Sequence, residues 1–269
     1  LYKKGRIYNE DSPVSWCPNC QTAIAQAEFE DLEMSSHMNE IVFNVGAKEI
    51  IISTSRPELL GACVAIMVNP SDDRHKNLIG KYAKIPLYNN EVPILADEKA
   101  DPEKGTGIVM CCTFGDKTDV ELWYKHKLPM RLAINKDGTM NEHAGKYNGL
   151  KIMETRKLII EDLKKNNLLV KQIPIKHHVN IHDRCRTEVE IIKAKQWFIR
   201  VLDKKEELIK LADKIEWHPE FMKKRYEHWV QNLNWDWCIS RQRHFGVPFP
   251  LWYCKKCETI VLADEKNLP

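Results

Sequence analysis

Two aspartates three residues apart, Asp116 and Asp119, follow a glycine-punctuated apolar strand in "GTGIVMCCTFGDKTDVELW", Gly105 to Trp123. An ionised carboxylate only accepts hydrogen bonds, so such a pair suits a ligand that brings an ammonium and a hydroxyl. At i and i+3 on one helical turn, both side chains can face a single cavity. The same spacing also serves a helix start. Asp116 at the N-cap and an acid in the first turn satisfy orphan amides and oppose the positive end of the helix dipole. On the pattern alone, capping explains Asp116 at least as well as ligand binding.

A second group of residues points to metal. The nine cysteines are odd in number and unevenly spaced, and "LYKKGRIYNE" lacks the apolar core of a secretory signal. Both features oppose a disulfide framework. Four cysteines form two C-x-x-C pairs, Cys17/Cys20 and Cys254/Cys257. Such a knuckle supplies two of the four ligands of tetrahedral zinc. The partner of Cys17/Cys20 is either His182 with Cys185, in H-x-x-C, or Cys254/Cys257. We expect the former, because the segments flanking a compact domain tend to meet at its base. Cys254 and Cys257 would then be half of a second site. The zinc would be structural, since no H-E-x-x-H is present. Cys111 and Cys112 sit among apolar residues and read as buried thiols. No serine, cysteine or histidine stands out as a nucleophile.

The elements that must position these groups follow from periodicity. β-branched and apolar runs from Ile41 onward ("IVFNV", "KEIIIST", "CVAIMV", "YAKIPLY", "EVPILAD") predict strands. Pro57 suits the first turn of a short helix. Strand 107–113, a turn and a helix over about 116–126 come next. A strand in "MRLAIN", a hairpin turn at Asp137-Gly138 and an amphipathic helix in "IMETRKLIIEDLKKNNL" follow. The strands are too many and too short for a doubly wound sheet. The expected class is α/β: a barrel-like mixed β domain over 36–173 with packed helices. Residues 1–35, polar and irregular in texture, join 174–200 as a zinc-binding stem. Residues 201–269 form a helical segment.

Bulk properties set the limits. At 269 residues, 43% hydrophobic and 29% charged, the composition is that of a soluble globular chain. A net charge of +3 neither demands nor opposes nucleic acid. Lys223, Lys224, Arg225, Arg241 and Arg243 could contact phosphates, although solvated helix faces explain most such lysines. No apolar stretch is long enough to cross a bilayer, so no membrane partner is expected. The start at Leu1 suggests a segment of a longer chain.

Several stretches in sequence order resemble the editing insertion of the valyl-tRNA synthetases, a class I family. They are the zinc knuckle, "STSRPELLGACVAIMVNPSDD", "GTGIVMCCTFGDKTDVELWYKHKLP", "KQWFIRVLD" and "IEWHPEFMKKRYEHWVQNLNWDWCISRQRHFGVPFPLWYC". "HDRC" and "EWHPEFMKKRY" are similar to the archaeal and eukaryote-like branch. Arg56, in "SRPELL", matches the valyl type, whereas isoleucyl and leucyl relatives are threonine-rich there. Neither the H-I-G-H-type nor the K-M-S-K-S-type nucleotide signature is present. Amino-acid activation, with its ATP and magnesium, is therefore expected only of a full-length enzyme. The segment 201–269 would return the chain to the catalytic domain.

The resemblance implies a hydrolytic editing function in the cytoplasm, acting on the acceptor end of tRNA(Val) carrying threonine. A site shaped for valine cannot firmly reject an isostere bearing a hydroxyl, a limit established on these synthetases themselves. By resemblance, Asp119 holds the free α-ammonium of the mischarged amino acid and Asp116 accepts its side-chain hydroxyl. Arg56 sits near the terminal adenosine phosphate or the substrate carbonyl. Ser53, Thr54, Ser55, Glu58, Lys104, Gly105, Thr106, Gly107, Cys112 and Thr113 are the remaining candidate lining residues. Gly105 and Gly107 would let backbone N–H groups approach a developing oxyanion. Met110 and Cys112 replace a lysine and a threonine of many valyl enzymes, and Lys104 replaces an aromatic. Partners are the tRNA and the rest of the synthetase chain, with the protein a monomer. An isoleucyl-type site acting on valyl-tRNA(Ile), and a zinc-containing tRNA-binding module without chemistry, are the alternatives.

Overall fold

A computed structural model describes residues 1–264 and 266. Two strands, β1 (Ile7–Cys17) and β2 (Thr22–Ala23), flank the first C-x-x-C turn. β3 (Phe29–Val45) runs for 17 residues and turns at Gly46, in the left-handed region, into β4 (Lys48–Thr54). A 3-10 turn over Pro57–Ala62 is buried throughout and leads to β5 (Cys63–Val68), then β6 (Tyr82–Lys84), β7 (Glu91–Ala96) and β8 (Ile108–Cys112). Helices α1 (Lys117–His126) and α2 (Ile152–Lys165) precede β9 (Leu169–His182) and β10 (Glu190–Ile199). Helices α3 (Lys205–Ala212) and α4 (Phe221–Gln231) pack together. β11 (Trp237–Cys238) and the hairpin of β12 (Leu251–Tyr253) and β13 (Ile260–Leu262) close the chain.

The large sheet has the order β4-β3-β6-β7-β5-β8, with β9 also on β3. It is antiparallel except for the β5–β7 pair. Its strands curl into a half-barrel around Ile41, Phe43, Ile52, Ile66 and Ile94, closed by Ile159 and Leu163 of α2. Val64, Ala65 and Met67 face a second cluster beneath Leu122 of α1. β5 is therefore buried on both faces, which is why it reads as an unbroken apolar run rather than an alternation. A smaller sheet, β11-β10-β1-β2, has its own core of Val14, Trp16, Ala23, Ile192 and Phe198. This is the stem.

The mixed α/β architecture with a strongly curved sheet is the expected one. Three local expectations are corrected. The polar texture of residues 1–35 is not irregular: β1 and the start of β3 lie there. β3 and β9 pair from Phe29↔His182 to Ile41↔Leu169, so the expected boundaries at 35/36 and 173/174 fall inside one ribbon. Over Phe29–Met38 the exposure of β3 never reaches full burial. One face of the ribbon, with Leu32, Met34 and Met38 of β3 and Ile175 and Val179 of β9, is only half-buried, and polar runs such as Ser35-Ser36-His37 obscure the alternation along β3. "MRLAIN" is not a strand either; only Ile134 bridges, to Met140, around the expected turn. The helical character expected of 201–269 ends with α4. No helix among the described residues is long and apolar enough to cross a membrane.

Candidate functional site

The strand-to-helix turn is held by two reciprocal hydrogen bonds. Asp116 is the N-cap of α1 and its Oδ1 accepts from the Asp119 N–H at 2.9 Å. Asp119 Oδ2 accepts from the Gly115 N–H at 2.8 Å. A Cβ on Gly115 would lie 2.6 Å from Asp119 Oδ2, so a larger residue there would displace the Asp119 carboxylate. The consequence separates the two acids. Asp116 is exposed, whereas Asp119 is 7% exposed beneath the turn. Burial, and then the neighbouring charge of Asp116, push the Asp119 carboxyl up to about 7. The expectation that both carboxylates line one cavity is corrected: the Gly115 amide draws Asp119 inward.

Asp116 borders a cavity of about 400 Å³ between the α1 turn, the β3–β9 ribbon and the stem. Ser55, Arg56, Lys117, Arg156, His177 and Glu188 are among its walls, so cations and carboxylates share the lining. Arg56 is fixed on three sides. Its Nε donates to Glu58 Oε1 at 2.9 Å, its Nη1 to the Gly115 carbonyl at 3.1 Å, and its Nη2 to both oxygens of Glu190 at 3.0 and 2.8 Å. Arg156 donates to both oxygens of Glu58 at 2.9 and 2.8 Å. Burial opposes charge on Glu58, but the two guanidiniums outweigh it and lower its pKa. For Glu190 burial wins over Arg56, and its pKa is raised.

The remaining expected site residues divide into two groups. Ser53 meets the glycine turn: a Cβ on Gly105 would lie 2.9 Å from Ser53 Cβ. Ser53 Oγ and Thr106 Oγ1 are buried without a protein partner. Gly107 packs on Asp72 and Arg74, and Lys104 is exposed. Thr54 Oγ1 accepts from the Arg56 N–H. The other group belongs to the interior. Glu58 is fully buried in its ion pairs, Cys112 donates to the Leu59 carbonyl, and the Thr113 hydroxyl accepts from the Arg131 N–H. None of these three offers a free face to a ligand. Glu190, Arg156 and Gly115 were missed from sequence. Glu190 and Arg156 meet partners 134 and 98 residues away, and no local pattern marks such a contact.

A separate cluster lies at the base of the stem. Ligand atoms of Cys17, Cys20, His182 and Cys185 all fall within 4.8 Å of one another. Cys185 Sγ lies 3.4 Å from Cys17 Sγ and 3.3 Å from His182 Nδ1. The sulfur spacing approaches the edge of a zinc–thiolate tetrahedron, about 3.8 Å for Zn–S bonds near 2.3 Å. The fully buried His182 turns its Nδ1 to the sulfurs. Burial opposes charge on Cys185, but its contacts with Thr187, Cys17 and His182 prevail and lower its pKa to about 6. Three thiols and an imidazole so arranged could hold a metal ion. Cys254 and Cys257 flank the turn between β12 and β13, and no further ligand joins them among the described residues.

Residues 1–268 match the family described as tRNA synthetases class I (I, L, M and V). The valine–tRNA ligase of Thermoplasma volcanium is 52% identical over 269 residues, all of this chain and 34% of the relative. That of Methanocaldococcus jannaschii is 52% identical over 272 residues, all of this chain and 31% of the relative. The chain thus spans about a third of the length of the curated relatives it matches. A solved ternary complex of Agrobacterium radiobacter K84 LeuRS with tRNA and LeuAMS covers all of this chain and 35% of that one. The two are 18% identical, with a TM-score of 0.40. With the family match running through both the stem and the curved domain, this chain belongs to the class I tRNA synthetases of the I, L, M and V group.

Proposed function

We propose that the chain is the editing segment of a valine–tRNA ligase, and that it hydrolyses the ester joining threonine to tRNA(Val). The observation that carries this reading is the cavity of about 400 Å³ with the exposed Asp116 and the half-buried Ser55 and Arg56 on its walls. Cations there suit the phosphates of an RNA end, and the Asp116 carboxylate suits a hydroxyl or ammonium donor. Valine would leave such a polar wall unpaired, which costs about 1–3 kcal/mol per buried group. Water adds to the ester carbonyl carbon, the bond to the ribose oxygen breaks, and a proton reaches that oxygen through the neighbouring ribose hydroxyl. Asp119 supports the turn from below, and Ser53 and Thr106 offer hydroxyls beside the glycine turn.

In the same reading zinc is the ion held by Cys17, Cys20, His182 and Cys185. All four positions are filled by protein, so its role is to brace the stem rather than to activate water. ATP, magnesium and amino-acid activation belong to the remainder of such a ligase.

Deacylation tests the reading. Threonyl-tRNA(Val) is expected to be cleaved and valyl-tRNA(Val) spared, with Asp116→Asn slowing cleavage by about tenfold or more, one lost charged hydrogen bond. Preference for valyl-tRNA(Ile) would identify an isoleucyl-type site. Cleavage of neither would leave a binding module.

A further inference from the structure

Glu190 opens β10 in the stem sheet and is 3% exposed. Its two carboxylate oxygens take the Arg56 Nη2, and the Arg56 Nη1 donates to the Gly115 carbonyl. Gly115 is the residue whose amide Asp119 binds and after which Asp116 caps α1. One continuous path therefore runs from the stem to the cavity's acid. Glu58 cannot stand in for Glu190 in this path. It binds a different nitrogen of Arg56, Nε, and both of its oxygens also serve Arg156. Planarity of the guanidinium makes the coupling directional. Fixing Nη2 and Nε leaves Nη1 one orientation, toward Gly115.

We propose that Glu190 is a positioning residue: by clamping Arg56 it holds the Gly115 carbonyl, and so keeps the turn presenting Asp116 in register with the stem. The activity readout rests on the hydrolase reading above; a second readout does not. Glu190→Gln keeps the shape and removes the charge. It is expected to lower the single-turnover deacylation rate by about tenfold with the half-saturating tRNA concentration unchanged, because the turn and not the RNA contact is disturbed. In an Arg56→Ala background the same substitution should add nothing, since both act through one contact. The amides of Gly115 and Asp119 should exchange hydrogen about tenfold faster in Glu190→Gln, independently of any substrate.

Wild-type rate and wild-type exchange in Glu190→Gln, or a loss that adds in full to that of Arg56→Ala, overturns the proposal. Arg56→Lys guards against a Glu190 variant that does not fold. It retains the buried charge pair but cannot reach Glu190 and Gly115 together, so unchanged exchange at Gly115 in that variant also overturns it. Should the wild-type protein leave threonyl-tRNA(Val) intact, the hydrolase reading falls and exchange alone decides on the turn.

Discussion

Asp119 lies under the turn that Asp116 caps, and its position sets a pH dependence. Burial and the Asp116 charge raise its carboxyl to about 7, against about 3.9 in an unfolded chain. Between those values the folded state keeps a proton that the unfolded state has lost. Stability therefore falls as pH rises from about 4 to about 7. Asparagine cannot ionise, yet its carbonyl can still accept from the Gly115 amide. Asp119→Asn is expected to match the wild type near pH 4 and to exceed it at pH 8 by roughly 2–4 kcal/mol. Urea unfolding at the two pH values measures this, and equal stability at pH 8 would show that the carboxylate is not buried as described. That Asp116 and Asp119 share one strand-to-helix turn was legible from their spacing. Which of them meets solvent was not, because the deciding donor is a backbone amide that carries no residue signature.

At the scale of elements, the contact between the first knuckle and the Asp137-Gly138 turn joins stem and curved domain. Gly138 has φ +74° and a Cβ there would come within 2.9 Å of Pro18 Cβ. The Trp16 indole N–H also donates to the Lys136 carbonyl at 2.8 Å. Gly138→Ala is expected to cost about 1–3 kcal/mol through backbone strain and the clash with Pro18. Chemical denaturation would measure it, and a neutral effect would mean that the knuckle yields freely. The hairpin turn itself was legible from Asp-Gly. Its neighbour Pro18 was not, being 120 residues distant. Helices α1 and α2 were legible because each buries one face against the sheet. The β3–β9 ribbon was not, because its apolar face is only half-buried and polar runs interrupt the alternation along β3.

Across the whole molecule, the cores of the stem and of the curved domain are separate clusters, with the cysteine–histidine cluster at the base of the stem. Elemental analysis is expected to find one zinc per chain, retained in Cys254→Ser/Cys257→Ser and lost in Cys17→Ser. Chelation should then speed amide exchange in β1, β2 and the end of β9, while β5 and β8 stay protected. Loss of protection in β5 would show that the metal supports both cores. The Arg56–Glu58–Arg156–Glu190 group is the opposite case. Ion pairs buried between elements far apart in sequence stabilise little by themselves, but breaking one leaves an uncompensated charge. Such a network fixes geometry rather than adding stability.

Composition, periodicity and spacing by themselves determined the mixed α/β class, the knuckle of Cys17 and Cys20, the helix that Asp116 opens and the burial of Cys111 and Cys112. Each of these is settled within a few residues, by which face is apolar or which turn a residue favours. Tertiary structure alone decided that His182 and Cys185 complete the cluster, that Asp119 turns inward, and that Arg56 is locked by Glu190. The cluster and the lock on Arg56 depend on groups more than a hundred residues apart meeting in a buried space, where an unpaired charge takes whichever partner the fold brings within reach; the inward turn of Asp119 depends on the backbone amide of Gly115, four residues away.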